Sequence, residues 1–205
     1  MSYVMICNSK DLGDPPPYKA NDISCYHEVS DSLPVMNETA LKGTSKNIFL
    51  IETSCKGYLD LRQACAVESA ARAHPDWQVN LLFVGPVTRE RLTTGILSSL
   101  QSYKNVVIAR VYFSEIVKDT PLERLLSEKL LDKSEHRFAH TSDIIRLLLL
   151  WKFVGVYMDL DIVVIKPFDD LGLDFAGLEE STVRTGVMGL SNSFVGRKIA
   201  STAVL

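Results

Sequence analysis

The rhythm of apolar and polar positions changes at Asn47. Before it, residues 1–45 mix polar side chains with the Pro15-Pro16-Pro17 run and show few regular apolar patterns. An extended or stem-like leader that packs loosely is expected there. From Asn47 onward, short apolar runs alternate with helical periods. Ile48-Phe49-Leu50-Ile51 is the continuous apolar run that a buried parallel strand needs. Leu59 to His74 reads as a helix, with Leu61, Ala64, Cys65, Glu68 and Ala71 at helical spacing and Pro75 as its stop. Gln78 to Val84 reads as a second strand ended by Gly85-Pro86, Thr88 to Leu100 as a second helix, and Val106 to Val111 as a third strand. Thr120-Pro121 is expected to open a helix that continues through Leu131. This alternation predicts an α/β domain with a mostly parallel sheet and covering helices, spanning residues 46–205.

The stretch from His140 to Lys166 breaks the monotony. Thr141 or Ser142 can cap a helix running to about Phe153. Ile144, Ile145, Leu147, Leu148, Leu149, Leu150 and Trp151 make that helix apolar nearly all round, so it should be buried. Asp143 and Arg146 interrupt it on one face, and the plainest reading of such a pair is an internal salt bridge that supports the fold. Gly155 should end the helix and Val156-Tyr157-Met158 should form a strand. Asp159-Leu160-Asp161 follows, with Ile162-Val163-Val164-Ile165 continuing extended. On extended backbone the side chains at i and i+2 share a side, so Asp159 and Asp161 should point together while Leu160 faces the core. Two carboxylates on one face at a strand end are costly unless solvent or a cation neutralises them. Hard oxygen ligands select magnesium or manganese, and such an ion can bridge to a diphosphate.

Composition narrows the classes. The chain has 205 residues, of which 46% are hydrophobic, enough for one α/β domain with a substantial core. A formal net charge of −3 and the lack of a Lys/Arg cluster give no reason to expect nucleic acid as a partner. Lys152 interrupts the longest apolar run, Leu147 to Met158, so no signal peptide or membrane anchor is visible in the sequence. The four cysteines, Cys7, Cys25, Cys55 and Cys65, form no Cys-x-x-Cys pair. They read either as small buried hydrophobes or as partners in a Cys55–Cys65 or Cys7–Cys25 disulfide formed in an oxidising compartment.

Read together, several of these strings resemble a known family. Ser142-Asp143-x-x-Arg146 followed by Gly155-Val156-Tyr157-x-Asp159-x-Asp161 is similar to the sugar-binding region with the DXD motif of the α-1,4-galactosyltransferase family, which has yeast mannosyltransferase and bacterial glucosylating-toxin relatives. Ile48 to Ser54 and Arg62 to Ala71 look like the opening strand and first helix of the galactosyltransferase branch. The resemblance implies a GT-A type, Rossmann-like fold. It also implies a retaining glycosyltransferase that moves a hexose, galactose or N-acetylgalactosamine, from a UDP-sugar to a glycan or glycolipid acceptor, with Mn2+ or Mg2+ as cofactor. By position, Asp159 and Asp161 would serve the metal and the diphosphate, Asp143 and Arg146 the donor sugar, Tyr157 a place beside the nucleotide-sugar, and Glu52 and Thr53 the uridine. The family further implies the lumenal side of the Golgi membrane, with the membrane association of full-length relatives. Two positions depart from its pattern: Val154 stands where relatives usually have a first glycine, and Thr185-Gly186 stands where they often have Asn-Gly. The chain is expected to be truncated relative to the family, lacking the acceptor-binding half.

Two other readings compete. A chain without an acceptor half could bind a UDP-sugar without turning it over. Alternatively, Tyr157-Met158-Asp159-Leu160-Asp161 resembles the first motif of haloacid-dehalogenase-type phosphatases, in which the first Asp is a nucleophile.

Overall fold

The computed structural model describes residues 22–28, 32–124, 128–129, 131–172, 174–179 and 184–190. Six strands form one sheet: β1 Asn47–Glu52, β2 Gln78–Phe83, β3 Val106–Arg110, β4 Gly155–Met158, β5 Phe175–Glu179 and β6 Arg184–Leu190. Their order is β3-β2-β1-β4-β6-β5. The first four lie parallel, and β6 turns the sheet antiparallel against β4 and β5. This is the mostly parallel, Rossmann-like α/β sheet that the sequence implied. The chain runs outward from β1 through β2 to β3, then returns to place β4 on the other flank of β1. Ligands of such sheets gather at the carboxyl ends of the strands beside that reversal.

The helices are α1 Glu38–Lys42, α2 Leu61–Ala73, α3 Arg89–Thr93, α4 Gly95–Leu100, α5 Phe113–Val117 and α6 Arg137–Lys152. Strand alternation sorts the core into two layers. Ile48, Leu50, Val156 and Met158 pack with Ala64, Val67 and Ala71 of α2. Phe49, Ile51 and Tyr157 pack with Ile145, Leu148 and Leu149 of α6. A reciprocal capping box between Asp60 and Gln63 starts α2.

Several expectations need correction. The helix over Thr88–Leu100 is two helices, because Thr94 is extended and Gly95 has a φ of 64°. The helix expected after Thr120-Pro121 falls largely outside the described residues, at 125–127 and 130: Pro121–Glu123 are turns, Arg124 is helical with its carbonyl accepting from the Glu128 amide (3.0 Å), and Leu131–Lys133 is a 3-10 turn. Helix α6 begins at Arg137, so Thr141 and Ser142 lie inside it rather than capping it. Gly155 opens β4 instead of ending the helix, whose last residue is Lys152. Ile162–Ile165 is not a strand: the Ile162 amide donates to the Asp159 carbonyl (3.2 Å) and the chain turns at Leu160-Asp161. The expected disulfide pairings also fail, since Cys25 is bonded to Cys55. Cys7 lies outside the described residues, and no described cysteine is free.

Residues 22–28 and 32–45 pack more closely than a leader should. Cys25, Tyr26 and Leu41 are buried, Val35 bridges Arg110 at the end of β3, and the Arg110 guanidinium donates to the carbonyls of Cys25 (3.0 Å) and Glu28 (3.1 Å). These partners are distant in sequence, so local patterning could not reveal them.

Two contacts fix the segment after β4 and lead to tests. The Val164 amide donates to Ser69 Oγ (2.9 Å), and the Phe168 amide donates to His74 Nε2 (2.8 Å) while His74 Nδ1 faces the Ala70 carbonyl (3.1 Å). Only neutral His74 can accept at Nε2, and burial pushes its pKa below the ordinary imidazole range. The unfolded chain therefore takes up the proton first as pH falls. Stability should be full above about pH 6.5 and fall below it, by at most about 1.4 kcal/mol per pH unit for this one group. Denaturant melts at pH 7.5 and 5.5 should show this loss, and His74→Gln should show a smaller one; an equal loss in both would exclude the histidine. At the start of β4, Gly155 has a φ of 153°, and an added Cβ would lie 2.4 Å from the Asn47 carbonyl oxygen. Gly155→Ala should cost more than about 2 kcal/mol in a urea melt.

Candidate active site

The carboxyl ends of β1 and β4 lie side by side, since Phe49 is in register with Tyr157. The strand β4 ends in Met158, and its next residue, Asp159, is held by three elements. Its amide donates to the Gly186 carbonyl of β6 (2.7 Å). Its carboxylate accepts from the Tyr157 hydroxyl and lies 3.5 Å from the Arg146 guanidinium of α6. Arg146 also pairs with Asp143, one helical turn earlier, at 2.9 Å, and its guanidinium sits 4.7 Å from the centre of the Tyr157 ring. One cation thus joins Asp143 to Asp159 above an aromatic face. The sequence named all four residues; the structure brings them together.

Exposure separates their roles. The Tyr157 ring is only 2% exposed, so its hydroxyl serves Asp159 and approaches Ser142 Oγ (3.5 Å). Burial, foremost, and the Asp159 charge push its pKa above the ordinary phenol range, keeping it a donor. The Asp143 side chain is 57% exposed and that of Asp159 29%, against 15% for Arg146. The Asp143–Arg146 pair therefore opens to solvent on its Asp143 side, while Arg146 itself is mostly covered. Asp161 is exposed on the turn, and Leu160 between the two acids packs against the α2-side core, as expected from the sequence. The two acids thus lie on either side of a turn rather than on one continuous extended strand.

At the end of β1, Glu52 is 2% exposed and curls back on its own chain: its Oε1 accepts from the Ser54 amide (2.7 Å) and hydroxyl. Burial raises its pKa and the Ser54 bonds oppose that rise. Glu52 thus shapes the turn through Thr53 and Ser54, and the partly exposed Thr53 lies on that turn. The roles of Ser54 and of the Gly186 carbonyl escaped the sequence reading. The Glu-x-Ser spacing, in which a carboxylate meets an amide two residues on, was the available signal for the first. For the second there was none, because β6 reaches β4 from far along the chain.

The oxygen donors of Asp159 and Asp161 suit a hard divalent cation. No group of three or more His, Cys, Asp or Glu side chains suited to a metal occurs among the described residues, so an ion here would complete its shell with ligand and water oxygens.

Comparison with known proteins gives a consistent picture. Residues 60–176 match the family described as glycosyltransferase sugar-binding region containing DXD motif. The lactosylceramide 4-alpha-galactosyltransferase of Mus musculus is 40% identical over 123 residues, 58% of this chain and 34% of that enzyme. The Rattus norvegicus enzyme of the same name is 36% identical over 68% of this chain and 39% of its own length. The Homo sapiens alpha-1,4-N-acetylglucosaminyltransferase is 29% identical over 64% of this chain and 40% of its own. The matched stretches span well under half the length of these relatives.

Because the ion pair is open to solvent, Arg146→Ala should remain folded, losing about 1–2 kcal/mol from the pair and the ring contact. Circular dichroism with a urea melt measures this. An unfolded variant would return the pair to a purely structural role.

Proposed function

The chain belongs to the family of glycosyltransferases with a sugar-binding region containing the DXD motif, and on that premise we propose that it binds a UDP-sugar with Mn2+ or Mg2+ and donates the hexose, galactose or N-acetylgalactosamine, to a glycan or glycolipid acceptor. The observation that carries this reading is the Asp143–Arg146–Asp159 chain at the carboxyl end of β4, beside the end of β1. Asp159 and Asp161 would hold the cation, which when bound neutralises charge on the diphosphate as it leaves.

The other roles belong to the protein's own side chains. Asp143, the more exposed partner of Arg146, accepts hydrogen bonds from sugar hydroxyls. Arg146 is fixed by two carboxylates and a ring, so it holds positive charge at the site with little reorganisation. Tyr157 keeps Asp159 turned toward Arg146 from beneath. Thr53 and the turn shaped by Glu52 receive the uridine at the strand end. Transfer with retention follows the family, and no nucleophile is assigned here. The Cys25–Cys55 disulfide fits an oxidising compartment such as the Golgi lumen. No helix among the described residues is long and apolar enough to cross a membrane.

The test separates binding from turnover. Calorimetry with UDP and manganese should show saturable binding to the chain, and donor hydrolysis or transfer should fall by more than about a hundredfold in Asp159→Ala and Asp161→Ala. Manganese-dependent UDP binding that survives in both variants would sink the metal role.

A further inference from the structure

The segment before the sheet reaches into the end of β1 through a side chain that the proposed site does not use. Tyr26 lies in the 3-10 turn Ser24–His27 and is 5% exposed. Its hydroxyl donates to the Thr53 carbonyl at 2.7 Å, just beyond β1. Cys25, beside it, is disulfide-bonded to Cys55, two residues past Thr53. From the other side, Arg110 holds the carbonyls of Cys25 and Glu28, and the Tyr26 ring meets Phe113 at 6.5 Å between centroids. The turn that follows β1 is thus tied at Thr53 and again at Cys55, both times by the same short segment.

The hydroxyl has further neighbours. Burial, foremost, pushes its pKa above the ordinary phenol range; the Thr141 hydroxyl opposes this and the Glu52 carboxylate adds to it. Thr141 is a buried residue of α6, two positions before Asp143. A tyrosine that only filled the core would need its ring alone, and a buried hydroxyl has to find a partner. Here the partner is the carbonyl of the residue whose turn, on the proposed reading, faces the uridine.

We propose that Tyr26 is a positioning residue for the nucleotide end of the site: its hydroxyl, stapled in place by the Cys25–Cys55 disulfide, fixes the turn from Glu52 to Cys55 in the shape that receives the nucleoside. The proposal rests on the UDP-sugar reading above.

Tyr26→Phe keeps the ring and removes only the oxygen. In the full chain, calorimetry should show the Kd for UDP in the presence of manganese rising about three- to tenfold, the size expected for one hydrogen bond. The affinity for manganese alone, read by electron paramagnetic resonance, should not move, and the melting temperature should fall by no more than about 4 °C. The Cys25→Ser, Cys55→Ser double variant should weaken UDP in the same direction. A Tyr26→Phe protein that binds UDP as the unaltered chain does overturns the positioning role and leaves the donor reading standing. Weakened manganese binding or a larger drop in melting temperature makes Tyr26 a general structural residue and overturns it too. An unaltered chain that binds no UDP overturns both readings.

Discussion

The close approach of β4 to β1 is the constraint on which the remainder depends. Gly155 enters β4 with its backbone almost against Asn47, where no side chain would fit. Asn47 is fully buried and donates to the carbonyls of Val154 (3.2 Å), Thr44 (2.9 Å) and Leu41 (3.1 Å), so one amide joins β1, the start of β4 and the segment that precedes the sheet. A buried amide is tolerable only when its donors are used, and here they are used to set strand register. With that register fixed, Tyr157 falls on the α6 face and Asp159 comes within reach of Arg146. A slip of one residue would turn both toward α2 and dissolve the site.

Electrostatics then divides the labour. Helix α6 buries Thr141, Ile145, Leu148, Leu149 and Leu150, yet its middle turns also carry Asp143 and Arg146. Arg146 is mostly covered, which raises the worth of its contacts, and it faces carboxylates on both sides. The charge is therefore neither stranded nor quenched by a single tight pair: its contact to Asp159, at 3.5 Å, is looser than that to Asp143. On the proposed reading, a site that takes up an anionic diphosphate needs a held cation whose partners can yield.

The parallel strands β1 to β4 were legible in the sequence because their runs are short and largely apolar, a signal that β5 lacks. The boundaries of β2 and β3 fall within one residue of those expected. Asp143, Arg146, Tyr157, Asp159 and Asp161 could be named because their strings occur in a recognisable order, and the family match agrees with the glycosyltransferase resemblance rather than the phosphatase one. The docking of residues 22–28 and the Cys25–Cys55 pairing stayed hidden because they depend on partners remote in the chain, whereas the helix break at Thr94-Gly95 is local, at a glycine with a φ of 64°. The turn at Leu160-Asp161 misled for a different reason: Ile162 to Ile165 is apolar and β-branched, so local propensity favoured a strand that tertiary contacts overrode.

That turn also separates the two acids. Asp159 is held by its backbone to Gly186 and by its carboxylate to Tyr157 and Arg146, whereas Asp161 stands on the outer side of the bend, exposed. Below the bend, Leu160 and Ile162 pack into the α2-side layer, and beyond it Ser69 and His74 hold the chain at Val164 and Phe168. The bend is therefore anchored on both sides while its tip faces solvent. On the proposed reading this gives one carboxylate of fixed orientation and one free to adjust as a cation and its diphosphate arrive. Two rigid acids would repel each other at constant cost whenever the site stood empty, and two mobile ones would surrender the preorganisation that stabilises a departing charge. An arrangement with one of each avoids both penalties.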